Sequence, residues 1–195
     1  MPVSTWEENV MLVDADWLDK FVFEVTVNFE RMLERAMPKV ALDRWVDYLS
    51  LDGGVRPGNN KIQVILLYNS ENETLKNCTP QSLTEELDGK AFRDNLGEFV
   101  FSTVPVESAL VTKAELFVQS MIALYSEDSI KRLMLVPNME EYGSIVRDNL
   151  KEIDCRKKEI PVFATNPQQG LRCPQEILTY SIMAALGISG DELKD

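Results

Sequence analysis

Five short apolar runs along the chain predict the strands of a buried sheet. They occupy residues 10–13, 62–68, 99–104, 133–136 and 161–164. The second and fourth runs are almost continuously apolar, which is typical of strands that helices cover on both faces. The pattern therefore favours a largely parallel sheet over an antiparallel sheet with one face in water.

Amphipathic segments between these runs predict helices. They span residues 42–49, 82–96, 112–125, 140–149 and 174–186. The third segment is the clearest, because its apolar side chains form one stripe at helical spacing. The second is interrupted near Gly89. Pro174 suits the first turn of the last helix, and Gly187 suits its carboxyl-terminal cap.

The segment between residues 17 and 37 fits two structures. Residues 21–30 alternate apolar and polar positions, as strands do. Asp16, however, can cap a helix that contains no Gly or Pro, and Phe21 and Val25 would lie on one face of it. We favour the helix, and a strand in this place would weaken the fold prediction.

The alternation of strands and helices predicts a single α/β domain over residues 1–195. Its expected architecture is a three-layer α/β/α sandwich around a mostly parallel open sheet of about five strands. Ligands bind such sheets beyond the carboxyl ends of the strands. The residues that directly follow each strand are therefore the candidates for function.

Composition and charge exclude several kinds of chemistry. The 195 residues include no histidine, so neither a Ser-His-Asp triad nor an imidazole metal site can form. A metal would need oxygen ligands, which suit Mg²⁺ or Mn²⁺. The net charge of -12 repels nucleic acids at long range. The densest basic run, residues 156–158 with Lys151 nearby, is typical of a solvated connection.

The chain lacks the sequence features of a secreted or membrane protein. No stretch approaches the roughly 20 apolar residues that cross a bilayer, and residues 1–8 do not resemble a signal peptide. We therefore expect a cytoplasmic protein that is not attached to a membrane. The three cysteines, Cys78, Cys155 and Cys173, form no C-x-x-C pair and are expected to be reduced.

Polar side chains follow four of the predicted strands. Asp14 follows the first strand, Asn69 the second, Asn138 and Glu140 the fourth, and residues 165–167 the fifth. Such residues also cap helices and form turns, which is the simpler explanation for each of them taken alone.

Taken together, these strand ends resemble NYN/PIN-like nuclease domains. Residues 12–18 resemble the opening strand and its acidic end, residues 112–116 the helix-opening acidic motif, and residues 135–142 the strand-loop-helix with paired acids. The resemblance implies carboxylates that hold Mg²⁺ or Mn²⁺ for phosphodiester hydrolysis. Two of its positions carry Asn and Glu where the family has aspartates, so the implied site is degenerate. The residues assigned to the metal are Asp14, Glu115, Asn138 and Glu140.

Three functions are open at this point. The degenerate site and the acidic composition favour a non-catalytic or regulatory binding module that needs no cofactor and has a protein partner or forms a homodimer, with Tyr180 and Met183 as candidate contacts. The alternative is a metal-dependent phosphodiesterase or ribonuclease of NYN/PIN-like type, for which RNA would be the partner. A third is a small-molecule enzyme with Cys155 or Cys173 as nucleophile, activated by the helix predicted to begin at Pro174.

Overall fold

The computed structural model describes residues 6–194 and contains nine strands and five α-helices in that range. Residues 1–5, part of the stretch compared with a signal peptide, lie outside the described residues. The strands are Asn9–Asp14 (β1), Val40–Ala41 (β2), Asn60–Asn69 (β3), Cys78–Thr79 (β4), Ala91–Arg93 (β5), Gly97–Val106 (β6), Arg132–Val136 (β7), Val162–Ala164 (β8) and Gln175–Ile177 (β9). The helices are Ala15–Leu33 (α1), Leu42–Asp52 (α2), Lys113–Tyr125 (α3), Met139–Leu150 (α4) and Leu178–Ala185 (α5).

Seven of these strands form one sheet in the order β5-β6-β3-β1-β7-β8-β9. Every neighbouring pair is parallel except β5 and β6. The predicted mostly parallel sheet is confirmed, with seven strands instead of about five. The two additional strands, β5 and β9, lie at the edges of the sheet and have three residues each. None of their residues is buried, so neither strand leaves an apolar run in the sequence, unlike β8, which is equally short but fully buried.

Helices cover both faces of the sheet, as the three-layer prediction requires. On one face α1, α2 and α5 enclose a core that includes Trp45 and Phe99. On the other face α3 and α4 enclose a second core around Phe117 and Leu135. Strand β1 lies between the two cores, and all six of its residues are buried.

The ambiguous segment is a helix, and it starts at the end of β1. The cap is Asp14 and not the predicted Asp16, which lies in the first turn: the Asp14 side chain accepts a hydrogen bond from the Trp17 amide. The helix ends before Glu34, whose φ is 50°. Phe21 and Val25 lie on the buried face. Phe23 is 54% exposed, so the alternation that looked like a strand comes from an apolar side chain on the outer face.

Two predicted helices differ from the structure. In the segment 82–96, only Leu83–Leu87 is helical, as a π-helical turn, and the chain then reverses at Gly89 to enter β5. In the segment 174–186, residues 175–177 form β9 and the helix begins later, at Leu178. Of the two candidate contact residues on α5, Tyr180 is 65% exposed and Met183 packs against the core.

The expectation that all cysteines are reduced is wrong. Cys155 and Cys173 form a disulfide, with their Cα atoms 5.5 Å apart, and Cys78 is free and buried. The two bonded cysteines lie on separate loops next to β8, and the sequence separation of 18 residues gives no sign of that proximity. Cys173 precedes a strand and not a helix, so neither bonded sulfur is the helix-activated nucleophile considered above.

The direction in which strands are added to the sheet reverses beside β1. Strands β3 and β6 follow one another on one side of β1, and the connection through α3 then leads to β7, which pairs with the other side of β1. In open α/β sheets, such a reversal leaves a crevice at the carboxyl ends of the two strands involved. Within residues 6–194, no helix combines the length and the apolar character that spanning a membrane would require.

Candidate functional site

A cleft of about 410 Å³ opens at the carboxyl ends of β1, β3 and β7, at the position of the reversal. It is therefore in the place where open α/β sheets bind ligands. Charged and amide side chains form most of its polar wall. They are Asp14, Asp16, Lys20, Asn69, Lys113, Asn138 and Glu141.

Asp14 is the most buried acid of the cleft, with a side chain that is 3% exposed. One carboxylate oxygen, Oδ1, accepts hydrogen bonds from the Trp17 amide and the Lys113 ammonium, both at 3.1 Å. The other oxygen, Oδ2, accepts a hydrogen bond from the Tyr142 hydroxyl at 2.6 Å. Both oxygens are thus engaged, as a buried carboxylate requires.

Asp16 joins the first turn of α1 to the loop that follows β3. Its Oδ2 accepts hydrogen bonds from the Lys113 ammonium at 2.5 Å and from the Asn69 amide at 2.8 Å. Its Oδ1 accepts one from the side-chain amide of Asn72 at 2.7 Å. This second carboxylate is therefore also fully engaged.

Lys113 provides the cation between these two acids. It is the first residue of α3, and Thr112 and Glu115 fix the start of that helix by forming a capping box. The Lys113 side chain is only 12% exposed and reaches both carboxylates. A single ammonium group thus joins residues from β1, α1 and α3 in one ion-pair network.

Tyr142 supports the network from α4. The helix is kinked at this residue (φ -128°, ψ 26°), and the tyrosine ring packs against Phe117 with centroids 5.9 Å apart. Burial raises the pKa of the Tyr142 hydroxyl, and the adjacent Asp14 carboxylate raises it further. The hydroxyl consequently stays protonated and donates to Asp14 across the neutral pH range.

Asn138 forms the N-cap of α4 at the rim of the cleft. Its Oδ1 accepts a hydrogen bond from the Glu141 amide, and its Nδ2 donates one to Glu141 Oε2, both at 3.1 Å. On the opposite wall, the Lys20 ammonium lies 5.9 Å from the centroid of the Trp17 ring. The rim is therefore made of capping groups and one cation over an aromatic ring.

The structure brings together two of the four residues that the resemblance assigned to a metal. Asp14 and Asn138 line the cleft, whereas Glu115 and Glu140 do not. Glu115 accepts a hydrogen bond from the Thr112 amide at 2.8 Å, and its hydrogen bonds to Thr112 lower its pKa. Glu140 is exposed in the first turn of α4. Across the described part of the chain, no three Asp, Glu, Cys or His side chains are grouped as metal ligands.

Three members of the network were not identified from the sequence. Asp16 was considered only as a helix cap, although it stands two residues after Asp14. Lys113 and Tyr142 are 99 and 128 residues away from Asp14 in the chain. The sequence predicted the helices that carry them, but not the direction of their side chains.

Comparison with known proteins gives a family and no function. A family model described as a family of unknown function (DUF6621) matches residues 3–193, so the chain belongs to that family. Neither the curated proteins nor the solved structures contain a match.

Proposed function

We propose that this chain is a non-catalytic binding module, and that the cleft at the carboxyl ends of β1, β3 and β7 holds a small polar ligand without net negative charge. The observation that supports the proposal is the position of Lys113 between Asp14 and Asp16. The ammonium group stands where a divalent metal would have to bind if these acids were its ligands.

The hydrogen bonding of the two aspartates favours a structural role for them. All four of their carboxylate oxygens accept hydrogen bonds from protein groups. A metal ion would have to displace Lys113 and then lie beside an ammonium group of like charge, which is unfavourable in a partly buried site. The acids therefore hold the walls of the cleft in place and leave the rim to contact a ligand.

The charges of the cleft indicate the class of ligand. Its wall carries three carboxylates and two ammonium groups, together with amide and hydroxyl groups. A slightly negative cleft in a chain of net charge -12 repels polyanions such as RNA. Hydrogen-bonding molecules that are neutral or zwitterionic, such as nucleosides and amino acids, fit this surface better.

The proposal can be tested by nuclear magnetic resonance with defined probes. Individual nucleosides and amino acids are titrated into the isotope-labelled protein, and the side-chain amide signals of Asn69 and Asn138 are followed. We expect at least one probe to shift both signals saturably, and we expect Glu141→Gln to change its affinity. Shifts confined to other surfaces would contradict a ligand site in this cleft.

The metal-dependent phosphodiesterase is the competing proposal, because Asp14 and Asn138 do meet in one cleft. Cleavage of single-stranded RNA in the presence of Mn²⁺ distinguishes the two. We expect none from the wild type. Cleavage that is lost in Asp14→Asn and retained in Glu140→Gln would establish the hydrolase and overturn the binding module. Both variants need to be shown to be folded by circular dichroism.

A further inference from the structure

A second cleft, of about 440 Å³, lies at the opposite end of the strands, beside the amino ends of β8 and β9. Two loops meet there, the connection from α4 to β8 and the connection from β8 to β9, and the Cys155–Cys173 disulfide joins them. The cleft is separate from the one that carries the proposed function. Its charged wall consists of Lys151, Glu152, Asp154, Arg156 and Arg172.

The disulfide determines which cations meet in this second cleft. Arg156 directly follows Cys155 in the chain, and Arg172 directly precedes Cys173. Because the two cysteines are bonded, Arg156 and Arg172, which belong to separate loops, line one concavity, with Lys151 as a third basic residue. In a chain of net charge -12, such a convergence of positive groups is unusual.

The carboxylates nearby neutralise these cations only in part. Arg156 donates to both carboxylate oxygens of Asp154, Nε to Oδ1 at 3.0 Å and Nη2 to Oδ2 at 3.4 Å, but the Arg156 side chain is 92% exposed. Lys151 pairs with Asp148 at 3.2 Å, but both of those side chains are more than half exposed, and exposed pairs of this kind contribute little. Among residues 6–194, no carboxylate lies within ion-pair distance of Arg172. The guanidinium group of Arg172 is therefore available to an anion.

We propose that this cleft binds a small phosphate-bearing anion, and that the site requires the Cys155–Cys173 disulfide. Guanidinium groups present paired N–H donors that match the oxygens of a phosphate group, and an ammonium group adds a point charge. Such an anion would also relieve the repulsion between the cations.

The same geometry makes anion binding dependent on the redox state. A dithiol reductant transfers two electrons and two protons to the disulfide, becomes a disulfide itself, and leaves Cys155 and Cys173 as thiols. No covalent bond then holds the loop of Arg172 against the loop of Arg156. Reduction consequently disperses the cations and weakens the site. Disulfides that are reversibly reduced and reoxidised are found in redox-sensing proteins.

The anion site is tested by titrating inorganic phosphate into the oxidised protein and measuring binding by isothermal calorimetry. We expect saturable binding that Arg172→Gln weakens about tenfold, as the loss of one charge-assisted hydrogen-bond donor predicts. Arg31→Gln is the matched control, because it removes the same charge from an exposed position near the end of α1. Equal affinity in the wild type and Arg172→Gln would mean an adventitious ion only and would overturn the site.

The redox dependence is tested separately. Phosphate is titrated into the wild type after treatment with dithiothreitol and into the Cys155→Ser/Cys173→Ser double variant, with circular dichroism as the check on folding. We expect both to bind more weakly than the oxidised wild type. Unchanged affinity in the folded, reduced protein would overturn the requirement for the disulfide. The arginine variants retain the disulfide, so they test the site even if the cysteine variant does not fold.

Discussion

The clefts at the carboxyl ends and at the amino ends of the strands differ in how their charged side chains are paired. At the carboxyl ends of the strands, Lys113 lies between Asp14 and Asp16 at hydrogen-bonding distances of 3.1 and 2.5 Å, so opposite charges pair within the protein. At the amino ends, Arg156 and Arg172 line one cleft. Arg156 is in an exposed ion pair with Asp154, and no carboxylate among residues 6–194 pairs with Arg172. Buried ion pairs hold strands and helices together, whereas an unpaired cation beside exposed ion pairs favours a ligand of opposite sign.

A second pair of like charges lies near the amino ends, between α2 and the turn before β6. Burial raises the pKa of Asp47 to about 6, and a hydrogen bond with Asp94 and the charges of Asp94 and Asp43 act in the same direction. Asp47 Oδ1 is buried and receives no hydrogen bond from a described donor. Two carboxyl groups can share a hydrogen bond only when one is protonated, so this contact depends on a bound proton.

Removing the central cation should have the largest effect on stability. Lys113→Met leaves Asp14 and Asp16 without their counter-ion, and the loss of one partner from a buried ion pair costs about 3–5 kcal/mol. We expect a fall of that size in the free energy of unfolding, measured by urea denaturation at neutral pH. Lys20→Met removes an exposed cation of the same cleft and should change the stability by about 0.5 kcal/mol or less. If Lys113→Met and Lys20→Met lowered the free energy of unfolding equally, the ion-pair network would not stabilise the fold.

Breaking the disulfide should have the next largest effect. The bond closes a loop with a sequence separation of 18 residues, and loops of that size stabilise a protein by roughly 3 kcal/mol through the entropy of the unfolded chain. The Cys155→Ser/Cys173→Ser double variant should lose about that much in urea denaturation. Reduction of the wild type should reproduce the loss, and an unchanged unfolding midpoint after reduction would contradict it.

Removing the hydroxyl group of Tyr142 should have a smaller effect. Tyr142→Phe deletes one hydrogen bond to the Asp14 carboxylate and keeps the ring against Phe117. A hydrogen bond to a charged group contributes about 1.5–3 kcal/mol, so the variant should lose about 2 kcal/mol. In combination with Lys113→Met, the two losses should not add, because both variants act on the same carboxylate.

The smallest effect should come from Asp47, because its side chain is only partly buried and solvent screens its charge, and the effect should depend on pH. The pKa of its carboxyl group is about 6 in the folded protein and 3.8 ordinarily, so the folded state binds the proton more tightly than the unfolded chain. This contribution to stability is fully present below pH 3.8 and is lost as the pH rises through about 6. Asp47→Asn should flatten that slope in melting temperatures measured across this window. If the melting temperature of the variant kept the same dependence on pH, that dependence would come from other titratable groups.

The sequence predicted those parts of the fold whose burial leaves an apolar run or an apolar stripe. The five core strands and the helix after Asp14 all have buried apolar faces, and even the three residues of β8 are fully buried and apolar. Strands β5 and β9 have the same length as β8, but they lie at the edges of the sheet and keep exposed polar residues, so no apolar run marks them in the sequence. The helix expected to begin at Pro174 starts four residues later, because pairing with β8 extends the chain first.

The candidate site was predicted in position but not in chemistry. The rule that strand ends meet at one edge placed Asp14, Asn69 and Asn138 together. Lys113 was missed because its role depends on the direction of a long side chain that bridges elements far apart in the sequence. The disulfide was missed for a related reason, since loop conformation brings Cys155 and Cys173 to bonding distance.

The central position of β1 affects how the chain is made as well as how it is held. This strand precedes the other strands of the sheet in the chain, so it leaves the ribosome before its partners β3 and β7, in which Leu66 and Val136 lie opposite Val13. A nascent chain can complete the β6-β3-β1 half of the sheet while the other edge of β1 is still without a neighbour. That edge presents unpaired backbone N–H and C=O groups, on a strand whose side chains are mostly apolar, until residues 132–136 emerge. From this strand order we expect slower folding than in proteins whose contacts are local, and we expect partly synthesised chains to be more prone to aggregation than the complete one.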